Sequence, residues 1–205
     1  MTVEPDPRWT CDEMLGRLAR YLRFLGYDVV YARNQTDSSI LRQAQEEDRR
    51  VLTRDRGMAE RSPRVWLLHA IEVEEQLREV RSRFPALRSE VRFVRCSLCN
   101  GLLLPADRST PRPPKGVPER TWMSGEPVFL CPECGQAYWE GSHTDEIRRT
   151  FARVFASNPP PPTTSAVSSS TSSSTSSFAL LSPLPAPPPA SREGQAPVGE
   201  DRGRE

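Results

Sequence analysis

The stretch Trp9-Thr-Cys-Asp-Glu-Met-Leu-Gly-Arg-Leu-Ala-Arg-Tyr-Leu-Arg-Phe-Leu-Gly-Tyr-Asp-Val-Val-Tyr31 carries strand, helix and strand in one short run. Trp9-Thr10-Cys11 is a short candidate strand. Leu15, Leu18, Leu22 and Leu25 recur at steps of three and four, the apolar stripe of a helix that stops at Gly26. Asp28-Val-Val-Tyr31 reads as the second strand. The alternation then continues. Ile40, Leu41 and Ala44 mark a second helix, with Thr36 or Asp37 placed to cap it. Arg50-Val-Leu-Thr53 and Val65-Trp-Leu-Leu68 are further strands, and Val73, Leu77, Val80 and Phe84 form the inner face of another helix. Strands separated by helical patterns predict an α/β fold built on a mainly parallel sheet flanked by helices.

From Val91 the pattern changes to a strand running into Cys96-Ser-Leu-Cys99. A second pair, Cys131-Pro-Glu-Cys134, follows a Pro-rich insert, Pro105–Pro118. Each two-residue spacer lets both thiolates of one turn reach a single tetrahedral metal, and four sulfurs at about 2.3 Å make the closed environment of structural zinc. Asn100-Gly101 and Gly135 suit the sharp turn after each knuckle. Two disulfides or a redox pair are the rivals. Nothing resembles a signal peptide, however, and Cys11 would be left over. Ile147, Phe151 and Val154 then give the inner face of a closing helix.

Three segments result: 9–90, an α/β domain; 91–157, a four-cysteine zinc ribbon with its helix; and 158–205, a Pro/Ser-rich tail. The tail opens with four prolines after Asn158 and runs through Ser168–Ser177. Its composition offers too little apolar surface to offset ordering entropy, so disorder is expected. Its one apolar patch is Phe178–Leu181. No stretch approaches the roughly 20 apolar residues that span a bilayer. The net charge of +1 decides little; of 28 basic residues 27 are Arg, which suits phosphate and equally suits GC-rich coding.

In parallel sheets, ligands bind beyond the carboxyl ends of the strands. Asp12 follows the first strand, Asp55 the third, and Asp37 opens the second helix, all on one expected edge. Three convergent carboxylates without an evident cationic partner call for a hard divalent cation, Mg²⁺ or Mn²⁺. Arg17, Arg20, Arg54 and Arg56 lie nearby to hold phosphates. The plainer alternative is that each Asp is an ordinary helix cap and each Arg a solvated surface group.

Asp12 to Asp28, Leu52-Thr-Arg-Asp-Arg56, the two cysteine pairs and Tyr138-Trp-Glu-Gly-Ser-His143 together resemble the Mut-seven C-terminal RNase domain family, from about Trp9 to Phe155. The resemblance implies a PIN-like sheet whose acidic cluster binds Mg²⁺ or Mn²⁺ and cleaves RNA, with single-stranded RNA as the expected partner. It makes Asp12 and Asp55 metal ligands and Asp37 a ligand or an orienter of metal-bound water. In animals such domains end longer proteins that carry an exonuclease domain upstream, so a longer form is expected. A second reading stays open: Asp6-Pro7-Arg8 interrupts the first strand, and Arg56-Gly57 stands where PIN nucleases often place a further acid. Both suit an inactive module that binds RNA or a protein.

Cys11 is expected as a buried small apolar residue and His69 as structural. His143 follows the second knuckle closely, as a zinc ligand or an RNA contact, but four sulfurs already fill a tetrahedral zinc. Trp122, Tyr138 and Trp139 either stack on bases or fill the ribbon's small core. Reduced cysteines and the absence of a targeting signal suit cytoplasm or nucleus.

Overall fold

In a computed structural model, residues 6–156 are described; the tail expected at 158–205, with its Phe178–Leu181 patch, lies outside them. Four parallel strands, β1 (Trp9–Cys11), β2 (Val29–Tyr31), β3 (Arg50–Thr53) and β4 (Val65–Leu67), are ordered β2-β1-β3-β4. The first strand is therefore central. Trp9 pairs with Val29 on one side and Arg50 on the other, and all three β1 residues are buried. Asp6-Pro7-Arg8 does not loosen it. Arg8 instead ties the strand's start to its neighbours, donating from Nη1 to the Glu47 carbonyl (2.9 Å) and from Nε to Asp28 (3.3 Å).

A short 3-10 turn, Glu13–Leu15, leads into α1 (Gly16–Phe24). Leu18, Ala19 and Leu22 bury its inner face, and its last turn closes where the sequence stops it. Gly26 N–H donates to the Arg23 carbonyl (2.9 Å) and Tyr27 N–H to that of Leu22 (3.2 Å), with Gly26 at φ 85°. This is a Schellman end, and only a residue without Cβ takes that φ cheaply. Thr36 caps α2 (Asp37–Glu46), its hydroxyl accepting from Ser39 N–H (3.3 Å). The remaining sheet helices are α3 (Arg56–Glu60) and α4 (Val73–Arg83).

The strand expected from Val91 does not form. Arg92 N–H donates to the Phe24 carbonyl (2.7 Å) and Leu103 N–H to that of Val94 (2.9 Å), with a single bridge, Arg95–Leu102, before the first knuckle. This segment finds its backbone partners at the end of α1 and in the returning loop, not in a sheet. The ribbon itself is antiparallel: β5 (Leu104–Pro105), β6 (Val128–Leu130) and β7 (Ala137–Trp139) in sequence order, with α5 (Glu119–Met123) in the insert. The closing helix, α6 (Ser142–Phe155), buries Ile147, Phe151 and Val154, the face read from the sequence.

One continuous core joins sheet and ribbon. It runs from Trp9, Leu18 and Leu22 through Leu77 and Val80 to Cys96, Cys131, Tyr138, Phe151 and Val154. Phe151 meets Tyr21 of α1 edge-on at 5.8 Å, so α6 folds back over the sheet domain. Ile40, Ala44, Val51 and Met58 form a smaller core, and Trp122 with Val117, Val128 and Ala137 a third.

Candidate active site and four-cysteine cluster

Asp12 leaves β1, Asp55 follows β3 after one intervening residue, and Asp37 opens α2 beyond β2, so all three stand past the carboxyl ends of adjacent parallel strands. Asp12 and Asp55 are joined through Thr53. The Thr53 hydroxyl donates to Asp12 Oδ2 (2.6 Å) while its oxygen accepts from Asp55 N–H (3.0 Å). Thr53 is fully buried at the end of β3, which fixes this hydroxyl between the two acids. Both carboxylates also cap: Asp12 Oδ1 accepts from Glu13 N–H (2.6 Å) and Asp55 Oδ1 from Met58 N–H (3.2 Å). The plainer reading of these residues as caps is thus realised too. Capping does not consume them, because a carboxylate has about four lone-pair sites.

Asp37 behaves differently, and the expectation that it lacks a cationic partner is corrected. Arg61 Nη1 donates to its Oδ2 (3.2 Å), and Arg61 Nη2 reaches Ser38 (2.8 Å). Arg61 comes from the end of α3, a helix too short to be seen in the sequence pattern. The three carboxylates do not lie within 4.8 Å of one another. Among the described residues only Cys96, Cys99, Cys131 and Cys134 form so tight a group. Asp12 and Asp55 offer hard oxygen donors of the kind Mg²⁺ or Mn²⁺ prefers, whereas the Asp37 carboxylate is engaged by Arg61.

Arg17, Arg20 and Arg56 are exposed and Arg54 half-buried. Among the described residues none of the four makes an ion pair, and the buried Arg54 Nε has no hydrogen-bond partner. Their charge is therefore uncommitted.

The two knuckles share one geometry. Asn100 N–H donates to the Cys96 carbonyl and Gly135 N–H to that of Cys131, each at 2.9 Å, and Asn100 and Gly135 both adopt φ 73°. Cys96 Sγ stands 3.5 Å from Cys134 Sγ, and Cys99 Sγ 3.3 Å from Cys131 Sγ. A tetrahedron with 2.3 Å arms has edges of about 3.8 Å, so the four thiols fit one small tetrahedral cation. His143 is not among them, and the cluster is closed by sulfur alone.

Sequence reasoning missed the roles of the residues that lock this cluster to the sheet. Arg23, on α1, is only 4% exposed and has no carboxylate partner among the described residues. It donates to the carbonyls of Val29 (2.9 Å), Ser97 (3.1 Å) and Leu98 (2.9 Å). Burial pulls its pKa down, and the neighbouring Cys11, Cys96 and Cys99 offset this only in part. Asp28 is the second lock. Arg49 Nη1 and Asn100 Nδ2 both donate to its Oδ1 at 2.8 Å, and Asn100 Oδ1 accepts from Val29 N–H (3.0 Å). Burial would raise Asp28, but hydrogen bonds from Arg49 and Asn100, with the charges of Arg49 and Arg95, outweigh it and hold the carboxyl at about 2. Tyr138 is the third. Its hydroxyl accepts from Ser97 N–H (2.9 Å) and lies 3.1 Å from Cys96 Sγ, and with Trp122 it belongs to the core. Burial alone would raise the Cys96 thiol; hydrogen bonds from Tyr138 and from the backbone of Cys99 and Leu98 bring it down to about 7, toward the thiolate a metal needs.

The fold and these donor sets define an α/β domain with acids at its strand ends, welded to a four-cysteine ribbon. The chain belongs to the Mut7-C RNAse domain family, whose model matches residues 7–151. No curated protein and no solved structure matches the chain. Membership points to nuclease-type function, and no helix among the described residues is long and apolar enough to cross a membrane.

Proposed function

We propose that this protein is a metal-dependent ribonuclease that hydrolyses phosphodiester bonds of single-stranded RNA at Asp12 and Asp55, with a zinc-bound ribbon helping to hold the strand. The observation that carries this reading is the Asp12–Thr53–Asp55 bridge at the ends of neighbouring strands in a chain of the RNase domain family. Asp12 and Asp55 would hold Mg²⁺ or Mn²⁺, which when bound supplies an activated water and neutralises charge on the phosphoryl oxygen. Thr53 ties the Asp12 carboxylate to the backbone of Asp55. Asp37 orients water at the rim, with Arg61 limiting its repulsion toward the other two. Arg17, Arg20, Arg54 and Arg56 supply unpaired positive charge for the phosphates.

The four thiolates would take Zn²⁺ in a structural role. Residues 9–90 then carry the chemistry and 91–157 the strand placement, within one shared core. A cytoplasmic or nuclear location and an upstream exonuclease domain in a longer form accord with this assignment.

Labelled single-stranded RNA incubated with zinc-loaded protein is expected to be cut only when Mn²⁺ or Mg²⁺ is added, and Asp55→Asn is expected to remove cleavage while zinc content stays at one per chain. Salt-sensitive RNA binding without turnover in any divalent metal would instead establish the inactive binding module.

A further inference from the structure

Beyond the acidic edge, a half-open cavity of about 220 Å³ lies at the seam between ribbon, α1 and α6; of its lining, only Arg20 and Tyr138 have a role above. It lies below the roughly 300–1,000 Å³ of sites for drug-sized ligands, a size for one base and not for a large cofactor. Phe24, Leu98, Tyr138 and Trp139 give it an apolar, largely aromatic wall. Leu98 is 52% exposed, an apolar side chain that the core does not require.

The polar side of the cavity suits an anion. Among the described residues, Arg20 stands at its margin without an ion pair and no carboxylate lines it. Neighbouring Glu140 is occupied by Arg148 through two hydrogen bonds, at 2.6 and 2.5 Å. The N-terminus of the fourteen-residue α6 opens onto the same space. No side chain caps it, and the N–H groups of Ser142, His143 and Thr144 have no partner among the described residues. Such a helix end attracts phosphate.

Position connects this cavity with the acids. Arg17 and Arg20 lie one turn apart on the exposed face of α1, the helix that Asp12 introduces. The 3-10 turn and the first five residues of α1 separate Asp12 from Arg20 by about 13 Å of rise, the reach of about four stacked nucleotides at 3.4 Å each.

Resting on the ribonuclease reading, we infer that this cavity is a nucleotide subsite. It takes one unstacked base of the RNA strand against Trp139 and Leu98, with an adjoining phosphate on Arg20 and the α6 N-terminus. Aromatic stacking is sequence-tolerant, so the subsite holds a strand's place without selecting one sequence.

The test uses the zinc-loaded full chain and a fluorescein-labelled single-stranded RNA ten-mer, with no Mg²⁺ or Mn²⁺, and reads anisotropy. Leu98→Glu and His143→Glu each place a carboxylate in the cavity and should weaken RNA binding by about ten-fold or more. His143→Glu also puts an acid in the first turn of α6, so it should bind RNA poorly while melting no lower than the parent. Met123→Glu, at an exposed apolar residue away from the cavity, is the control and should bind as the parent does. Hydrolysis of bis(p-nitrophenyl) phosphate in Mn²⁺ reports the acids alone and should be unaltered in all three variants. Parental RNA affinity in both Leu98→Glu and His143→Glu overturns the subsite, whatever the hydrolysis shows. Absence of hydrolysis in the parent overturns the catalytic reading, and leaves the binding comparison to decide the subsite as an RNA site by itself.

Discussion

Asp28 shows how a single side chain ties two parts of the molecule. Its carboxylate gathers Arg49 from the end of α2, Arg95 before the first knuckle and Asn100 within it. Because the folded-state pKa lies near 2, below the ordinary 3.8, its contribution is complete above pH 4 and lost as pH falls toward 2. Urea denaturation should show the parent losing about 1–2 kcal/mol more than Asp28→Asn between pH 5 and 2.5, after discounting for partial exposure. Equal losses would mean that the ion pairs carry no net stability. Cys11 makes the opposite case. Burial pushes its thiol up to about 12, with Arg23 lowering and Asp12 raising it by less. Iodoacetamide should modify it only at the rate of global unfolding, as followed by mass spectrometry; modification under native conditions would show that β1 opens locally.

At the scale of elements, the period of the apolar residues was informative wherever an element is long enough to show one. Leu18, Leu22 and Gly26 located α1 and its end, and Ile147, Phe151 and Val154 located α6. Short elements without a period escaped: α3, α5 and the two- and three-residue ribbon strands. The acids could be placed because they follow strands, but their partners could not. Thr53 and Arg61 meet Asp12 and Asp37 across 41 and 24 residues, and no local pattern records such distances. Arg23 escaped for a related reason, since an Arg inside a leucine stripe reads as surface until the knuckle carbonyls it serves are known. Thr53 offers a direct test. Thr53→Val keeps the buried shape but leaves Asp55 N–H and Asp12 Oδ2 without their shared partner, at a cost of about 1–3 kcal/mol. Denaturation should show that loss, RNA cleavage should fall with it, and Thr53→Ser should restore both. On α6, Phe151→Ala should cost about 3–5 kcal/mol, because the ring fills the contact between α1 and the closing helix.

Across the whole molecule, the ribbon is part of the core and not an appendage. Cys96, Cys131 and Tyr138 share one apolar cluster with Trp9 and Leu22, and the buried Arg23 and half-buried Asp28 face the first knuckle from the sheet side. Binding of a metal at the four sulfurs would therefore be coupled to folding well beyond them. Chelation of zinc should lower the melting temperature and remove hydrogen-exchange protection from the end of α1 as well as from 96–101 and 131–136. Protection that survived in α1 would show that the sheet domain stands without the ribbon.

The most direct measurement is the single-turnover rate of single-stranded RNA cleavage in Mn²⁺ by zinc-loaded protein, beside an Asp12→Asn/Asp55→Asn double variant matched for zinc content and circular dichroism. Cleavage by the parent and none by the folded double variant is the predicted result. Equal cleavage by both would contradict the assignment of the chemistry to these two carboxylates.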